Sequence, residues 1–441
     1  MKNRYSGFFN CLLLACLFII SDPVMAGQMT LDHAFEKALA SNPSVKAMAQ
    51  RINQSRERVI QARAAYYPQI SMDGSVSRFH ASDNDIATGF ASQQSEEYYN
   101  GSMSAKWVMF SGFSRKNSVQ AALLGQDLEE AGQVDVIRNL LSSVAASFHT
   151  AQLALANKFI ASSNKTFYAK QLEDARIKQK AGKGSLSDVL NFNTRMNQAQ
   201  IEMEKFIAQY DVARASLAAL LGDDVQTKDL PDPVFPEIET QKEMALPHAK
   251  ALMAYALDNR PDLIQWGLAV KIAQTNIETA KAKFFPEISL NGSMGASRSD
   301  NARFESNDLE NSVSLQFSFP LFAGGKDRAA LQEARFAAAE AEFELENLKN
   351  QVVSQITQNC FSLTAAQKQL RLYRENAKLV KQNRDMVAKE YQYGKTSLVN
   401  LNEVQNNLSE TRQQIALSLI SLRQAWYELK SSSGSIYSRA N

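Results

Sequence analysis

Residues Asn311–Phe322 read NSVSLQFSFPLF. Val313, Leu315, Phe317 and Phe319 alternate with Ser314, Gln316 and Ser318. This is the period of a β-strand with one apolar face and one wet face. A tilted strand of about ten residues crosses a bilayer. Three other segments carry the same pattern. Near 69–79, Ile70, Met72 and Val76 share a face. Near 99–110, Tyr99, Met103, Ala105, Trp107 and Met109 oppose Asn100, Ser102, Ser104 and Lys106. Near 287–296, Ile288, Leu290, Met294 and Ala296 oppose Ser289, Asn291 and Ser293. With 311–320 that makes four strands, and the smallest closed barrels use about eight.

The strands belong to a chain written twice. Ala62-Arg63-Ala64-Ala65-Tyr66-Tyr67-Pro68-Gln69-Ile70-Ser71 returns as Ala280-Lys281-Ala282-Lys283-Phe284-Phe285-Pro286-Glu287-Ile288-Ser289. Asn42-Pro43 pairs with Arg260-Pro261, and Phe110-Ser111-Gly112 with Phe322-Ala323-Gly324. Gly182-Lys183-Gly184-Ser185-Leu186 pairs with Gly394-Lys395-Thr396-Ser397-Leu398. Matched order and spacing at separate sites mark an internal duplication. The expected repeats are 27–222 and 248–430, with a Pro-containing linker at 223–247 and a polar tail at 431–441. Each repeat reads helix, strand, loop, strand, then a long helical hairpin, over 113–222 and 324–430.

No proline lies between Pro68 and Pro231, and none follows Pro320. Gly325 to Gly394 holds no internal glycine and is rich in Ala, Glu, Gln, Leu and Lys. Such a span propagates helix for about 100 Å. Ile356, Leu363 and Leu370 form one seven-residue row, and Tyr373, Val380 and Val387 another. That recurrence predicts coiled-coil packing over a plain 3.6-residue amphipathic period. Gly182 and Gly394 are natural helix stops, and Ser185 with Asp188 is a helix start. The turns are hairpin tips, remote from the strands.

Lys2, Arg4, the apolar run Cys11–Ile20 and Val24-Met25-Ala26 form an export signal over 1–26. Leu13-Leu14-Ala15-Cys16 resembles a lipobox, which makes acylation at Cys16 the rival to cleavage after Ala26. Only Cys360 then remains, so no internal disulfide forms. The formal net charge is +2 with both signs interspersed, which excludes a nucleic-acid footprint. His33, His80, His149 and His248 have no metal-ligand spacing. No phosphate loop or nucleophile elbow is present, so neither cofactor nor catalysis is expected.

An open sheet edge is not tolerated in lipid, so the four strands must close with other copies. Two chains would supply eight strands and three would supply twelve. A soluble sandwich fits poorly, because the two strand pairs are separated by mostly helical sequence. The duplicated layout, the two Pro-marked strand entries, Phe319-Pro320-Leu321-Phe322-Ala323-Gly324-Gly325 and the two Gly-x-x-Ser-Leu turns resemble the TolC-like outer-membrane efflux proteins. The resemblance implies a homotrimer with a shared twelve-stranded barrel and a helical tunnel projecting into the periplasm. It implies outer-membrane lipid around the strands, a periplasmic adaptor, and an inner-membrane pump of the ABC or proton-driven type.

The resemblance also assigns roles to residues. Gly182, Lys183, Ser185, Leu186, Gly394, Lys395, Ser397 and Leu398 are expected at the adaptor-docking tips. Asn400 and Glu403 take the family's pore-ring positions, and the first is often Asp in relatives. Glu403 would form a three-fold acidic ring. Tyr391 and Asp188 take positions that can form a closing hydrogen bond. Thr396 replaces a frequent arginine, so any closing lock is differently built. The expected function is an exit channel for efflux or type I secretion. The alternatives are a periplasmic coiled-coil scaffold, soluble without detergent, and a free-standing porin, which has no use for the long hairpins.

Overall fold

A computed structural model describes residues 28–81, 94–222, 231–234, 241–299 and 301–437. The expected export signal, the Cys16 alternative, the middle of the first strand-to-strand loop and most of the linker lie outside the described residues. The first repeat comprises β1 (Gln28–Met29), α1 (Leu31–Ser41), α2 (Pro43–Ala64), β2 (Gln69–Ala81), β3 (Gln94–Ser111), α3 (Ser114–Lys180) and α4 (Leu186–Leu221). β4 (Asp232–Pro233) and α5 (Gln241–Met244) lie between the repeats. The second repeat comprises α6 (Ala249–Asn259), α7 (Pro261–Lys281), β5 (Glu287–Ser299), β6 (Leu309–Ser318), α8 (Lys326–Gln392) and α9 (Leu398–Ser432).

The large sheet is antiparallel in the order β2-β3-β5-β6. Its register aligns like with like. Met72 lies opposite Met103, which lies opposite Met294; Leu290 lies opposite Leu315. On the other face Ser71, Ser104, Ser293 and Ser312 form one row, with Oγ–Oγ distances of 2.8 Å at Ser71–Ser104 and at Ser293–Ser312. The apolar face is bare in a single chain: Met72 is 81% and Val313 80% exposed. β2 and β6 each pair on one side alone among the described residues.

Strand limits differ from expectation. β3 begins at Gln94 instead of 99, and β6 stops at Ser318 instead of 320. Pro320 has no N–H for the ladder and restricts Phe319 before it. A register shift between Val108 and Phe110 makes Met109 a bulge.

α3 and α8 each run 67 residues, which is about 100 Å. Their partners α4 and α9 are about half that length. The rest of the arm comes from elsewhere in the repeat. Asn42, the N-cap of α2, donates from Nδ2 to the Leu220 carbonyl at the end of α4, at 2.8 Å. Arg260, before α7, donates to the Ser432 carbonyl at the end of α9, also at 2.8 Å. In both repeats the residue before the proline therefore joins a short helix to the end of a long one. Proline suits the first turn of the new helix, since its missing N–H has no partner there in any case.

The expected polar tail at 431–441 is corrected over its first residues. Ser431, Ser432 and Ser433 are buried, and a 3-10 turn follows at Ser435–Tyr437. Arg138 donates to the Ser431 carbonyl at 3.3 Å, while Asp135 and Asp262 balance the Arg138 and Arg260 charges at 2.7 and 2.9 Å. The serines look like tail chemistry in sequence, but their carbonyls are the helix end these arginines hold.

The helices form a layer in the order α4-α3-α9-α8. Ile356, Leu363 and Leu370 are buried, as their row predicts; of the second row Val387 is buried and Tyr373 and Val380 half-buried. Cys360 is buried beside the first row, and burial pushes its thiol up. No helix among the described residues is long and apolar enough to cross a membrane.

Candidate functional site

The lower ends of the four long helices carry nearly every expected site residue. Gly182 and Gly394 take left-handed φ values of 70° and 68°. In each turn the residue after the glycine donates back five residues, Lys183 to the Lys178 carbonyl and Lys395 to the Glu390 carbonyl, both at 2.9 Å. This is the Schellman closure that glycine permits. The next helix starts on a serine: Ser185 Oγ accepts from the Ser187 N–H at 3.0 Å, and Ser397 Oγ from the Asn400 N–H at 3.2 Å. Lys183, Ser185, Leu186, Lys395 and Ser397 are exposed, and Leu398 is half-buried.

Between the two tips lies a cleft of about 360 Å³, lined by Asp174, Lys178, Asp188, Phe192, Tyr391 and Thr396 among others. Tyr391 and Asp188 do come together here. No hydrogen bond joins them among the described residues; the Tyr391 ring instead packs edge-on against Phe192, with centroids 6.1 Å apart. Lys178 Nζ lies 5.5 Å from the Tyr391 ring centre. Burial raises the Tyr391 phenol above its usual range, and the Asp188 charge adds to the effect. A neutral phenol facing a carboxylate can donate to it after a small movement. Asn400 turns back on its own tip, donating to Thr396 Oγ1 at 2.9 Å. Glu403 is exposed, on the side of α9 away from buried Leu401 and Val404.

Above the tips, α9 meets α3 and α4 through amides that the sequence reading passed over. Asn402 donates to Asn191 Oδ1 at 3.0 Å, and Gln405 to Asn164 Oδ1 at 2.9 Å. Tyr168 donates to Asn406 Oδ1 at 3.1 Å. Phe192, Tyr168, Leu401 and Val404 pack around them. The available signal was an amide pair three residues apart, Asn402 and Gln405, set inside the apolar positions Leu401, Val404 and Leu408. Polar groups in a coiled-coil seam specify pairing.

The geometry is a duplicated, two-hairpin body under a membrane-type sheet. The family model described as outer membrane efflux protein matches residues 34–223 and 252–435, one block per repeat. The chain belongs to the outer membrane efflux protein family. It is 26% identical over 433 residues to the outer membrane efflux protein BepC of Brucella suis biovar 1, covering 94% of this chain and 88% of that one. It is 24% identical to the alkaline protease secretion protein AprF of Pseudomonas aeruginosa, over 77% of this chain and 70% of that one. The Campylobacter jejuni CmeC outer membrane channel superposes with a TM-score of 0.79 over 93% of this chain and 87% of that one, at 14% identity. The protein is thus an outer-membrane efflux channel whose helical body lies in the periplasm, and the scaffold reading is set aside. Family members are transport channels.

Proposed function

We propose that three copies of this chain form one exit duct. Four strands from each close a twelve-stranded barrel, and the α4-α3-α9-α8 layers close a tunnel beneath it. The observation that carries this reading is a sheet and a helical layer left open on both sides in the same order. The free edge of β6 in one copy then meets β2 of the next, and α8 meets α4. An eight-stranded dimer satisfies the sheet equally; twelve strands follow from the family resemblance.

In the duct, an adaptor docks at the exposed tips around Gly182-Lys183 and Gly394-Lys395 and links the tunnel to an inner-membrane pump, ABC or proton-driven. The tips are the gate. Asp188, Tyr391, Asn400 and Glu403 stand at or beside it, and Glu403 repeated three times gives an acidic ring that favours cations. Opening separates the hairpins, a helix displacement with no chemical step.

The mass of the detergent-purified protein, corrected for bound detergent, tests the assembly. Three chains are expected, and a lone chain overturns the duct. For the ring, single-channel recordings of Glu403→Gln are expected to show reduced cation preference. Unchanged selectivity removes Glu403 from the gate.

A further inference from the structure

We propose that the barrel wall is itself a charge filter, set by Asp73 and Glu310 at one level of the lumen with Lys106 below them, and that it favours cationic solutes over anionic ones whatever the helix tips contribute. The inference rests on the reading that the wet face of the sheet lines a conducting lumen.

The ladder fixes the levels. Asp73 lies opposite Ser102, Ser102 opposite Gly295, and Gly295 opposite Glu310. Four residues nearer the helices along β2, Gln69 lies opposite Lys106, Lys106 opposite Asn291, and Asn291 opposite Ser314. Four residues nearer still along β5 stands Glu287, opposite Ser111 and Ser318. A strand rises about 3.3 Å per residue, so successive charged levels are about 13 Å apart along the strands. The serine row Ser71, Ser104, Ser293 and Ser312 separates the two farther from the helices.

Asp73, Lys106, Glu287 and Glu310 are all exposed, and no ion pair joins any of them among the described residues. Asp73 accepts a single hydrogen bond from the neutral Ser71 Oγ, at 3.3 Å. Charges elsewhere on the sheet are matched. Arg78 lies opposite Glu97 on the lipid face, 3.9 Å away, and Arg298 meets Glu305 and Asp308 at 3.1 and 3.2 Å. A charge matched within the wall acts weakly on a passing ion. Unmatched charges on a lumen wall act on it directly, and substitutions there tune selectivity.

The signs decide the preference. Three carboxylates and one ammonium leave the wall net negative. At 0.1 M salt the screening length is about 10 Å, shorter than the spacing, so the levels act one at a time. The level with two carboxylates per chain then acts most strongly. At 0.01 M the length is about 30 Å, and the wall acts as one negative surface. Both limits favour cations, so cationic and neutral solutes pass and polyanions are held back at the Asp73–Glu310 level.

The experiment is the reversal potential of reconstituted channels in planar bilayers under a potassium chloride gradient, at low salt. The wild type is expected to prefer potassium. One elementary charge about 10 Å away in water changes a local ion concentration about twofold. Asp73→Asn with Glu310→Gln is therefore expected to lower the potassium-to-chloride permeability ratio by at least about twofold. Lys106→Gln is expected to raise it. A general distortion of the barrel would move both in one direction, so movement in the same direction, or of neither, overturns the filter. Glu403→Gln is recorded beside them. Loss of the whole preference in Glu403→Gln, with none lost in the double variant, places selection at the tips and also overturns it. Should the double variant not insert, Ser102→Cys, at the same level, is modified after insertion by a cationic thiol reagent and by a neutral one of equal size. A shift toward chloride with the cationic reagent alone supports the filter, and equal effects of the two overturn it. A wild-type protein that conducts no ions overturns the lumen reading itself, and that outcome is read from the wild type alone.

Discussion

Gly222 and Gly182 share a left-handed backbone and differ in what surrounds them. A Cβ on Gly222, at φ 70°, would sit 2.7 Å from the Asn42 Cα, whereas one on Gly182 would meet nothing within 4 Å. Gly222→Ala therefore adds a backbone clash to the roughly 1–2 kcal/mol of the left-handed conformation. It is expected to lower the melting temperature of the purified protein well beyond the effect of Gly182→Ala. Gly182→Ala is expected to insert and assemble normally, so a loss of export there reports on docking, and normal export removes Gly182 from the docking surface. His149 supplies a pH dependence. Burial is the main cause that lowers its pKa to about 4, and Nδ1 pairs with Gln152 at 2.8 Å. The unfolded chain then binds more protons than the folded one between about pH 6.5 and 4, so stability falls as pH drops through that window. The loss is about 3 kcal/mol per chain, and it is expected to be absent from the stability profile of His149→Gln in thermal melts across that range. The conformation of Gly182 was legible in sequence because its whole turn is local. That of Gly222 was not, because the group it must avoid, Asn42, is brought there by the fold.

At the scale of elements, β6 gives the cleanest contrast. Leu315 and Gln316 are neighbours in sequence and point to opposite faces, one continuing the Leu290 row and the other opposite Ser289. An arginine facing lipid at the bilayer midplane costs about 2–4 kcal/mol, while the wet face tolerates charge. Leu315→Arg is expected to deplete the protein from outer-membrane fractions. Gln316→Arg is expected to reach the membrane in normal amounts and to change conductance. Equal depletion of both would mean that the faces are wrongly assigned. Alternation made this face assignment legible, since a period of two survives any error in strand ends. The ends themselves were less legible: the bulge at Met109 and the early stop at Ser318 depend on pairing and on Pro320. The end of α9 was hidden for a similar reason. Ser431 to Ser433 are polar side chains on a buried helix end, and Arg138 and Arg260, far away in sequence, hold its carbonyls.

In the whole molecule, α8 is apolar on two opposite sides. Ile356, Leu363 and Leu370 are buried against the chain's own helices. On the other side Leu372, Leu379 and Met386 recur every seven residues and are 60–65% exposed, and Tyr393 follows in the same row at the helix C-cap. The two rows are equally regular in sequence, and only the placement of α9 shows which is already covered. The opposite flank, α4, exposes Leu190, Ile201 and Val212. A seam of large apolar residues at coiled-coil spacing needs another helix, and a second copy presents one on its α4 flank. Burial of a leucine contributes roughly 1.5–3 kcal/mol, repeated at each interface of the proposed ring. Leu379→Asp removes that contribution and forces a carboxylate into each seam. It is expected to convert the proposed trimer into single chains of native helix content. Lys381→Asp, on an exposed position two residues away, is expected to leave three chains together. Light scattering with circular dichroism separates the outcomes. Single chains with intact helices place the exposed row at the interface between copies. A Leu379→Asp trimer that melts as the wild type does would show that the ring closes through another face of the helical layer.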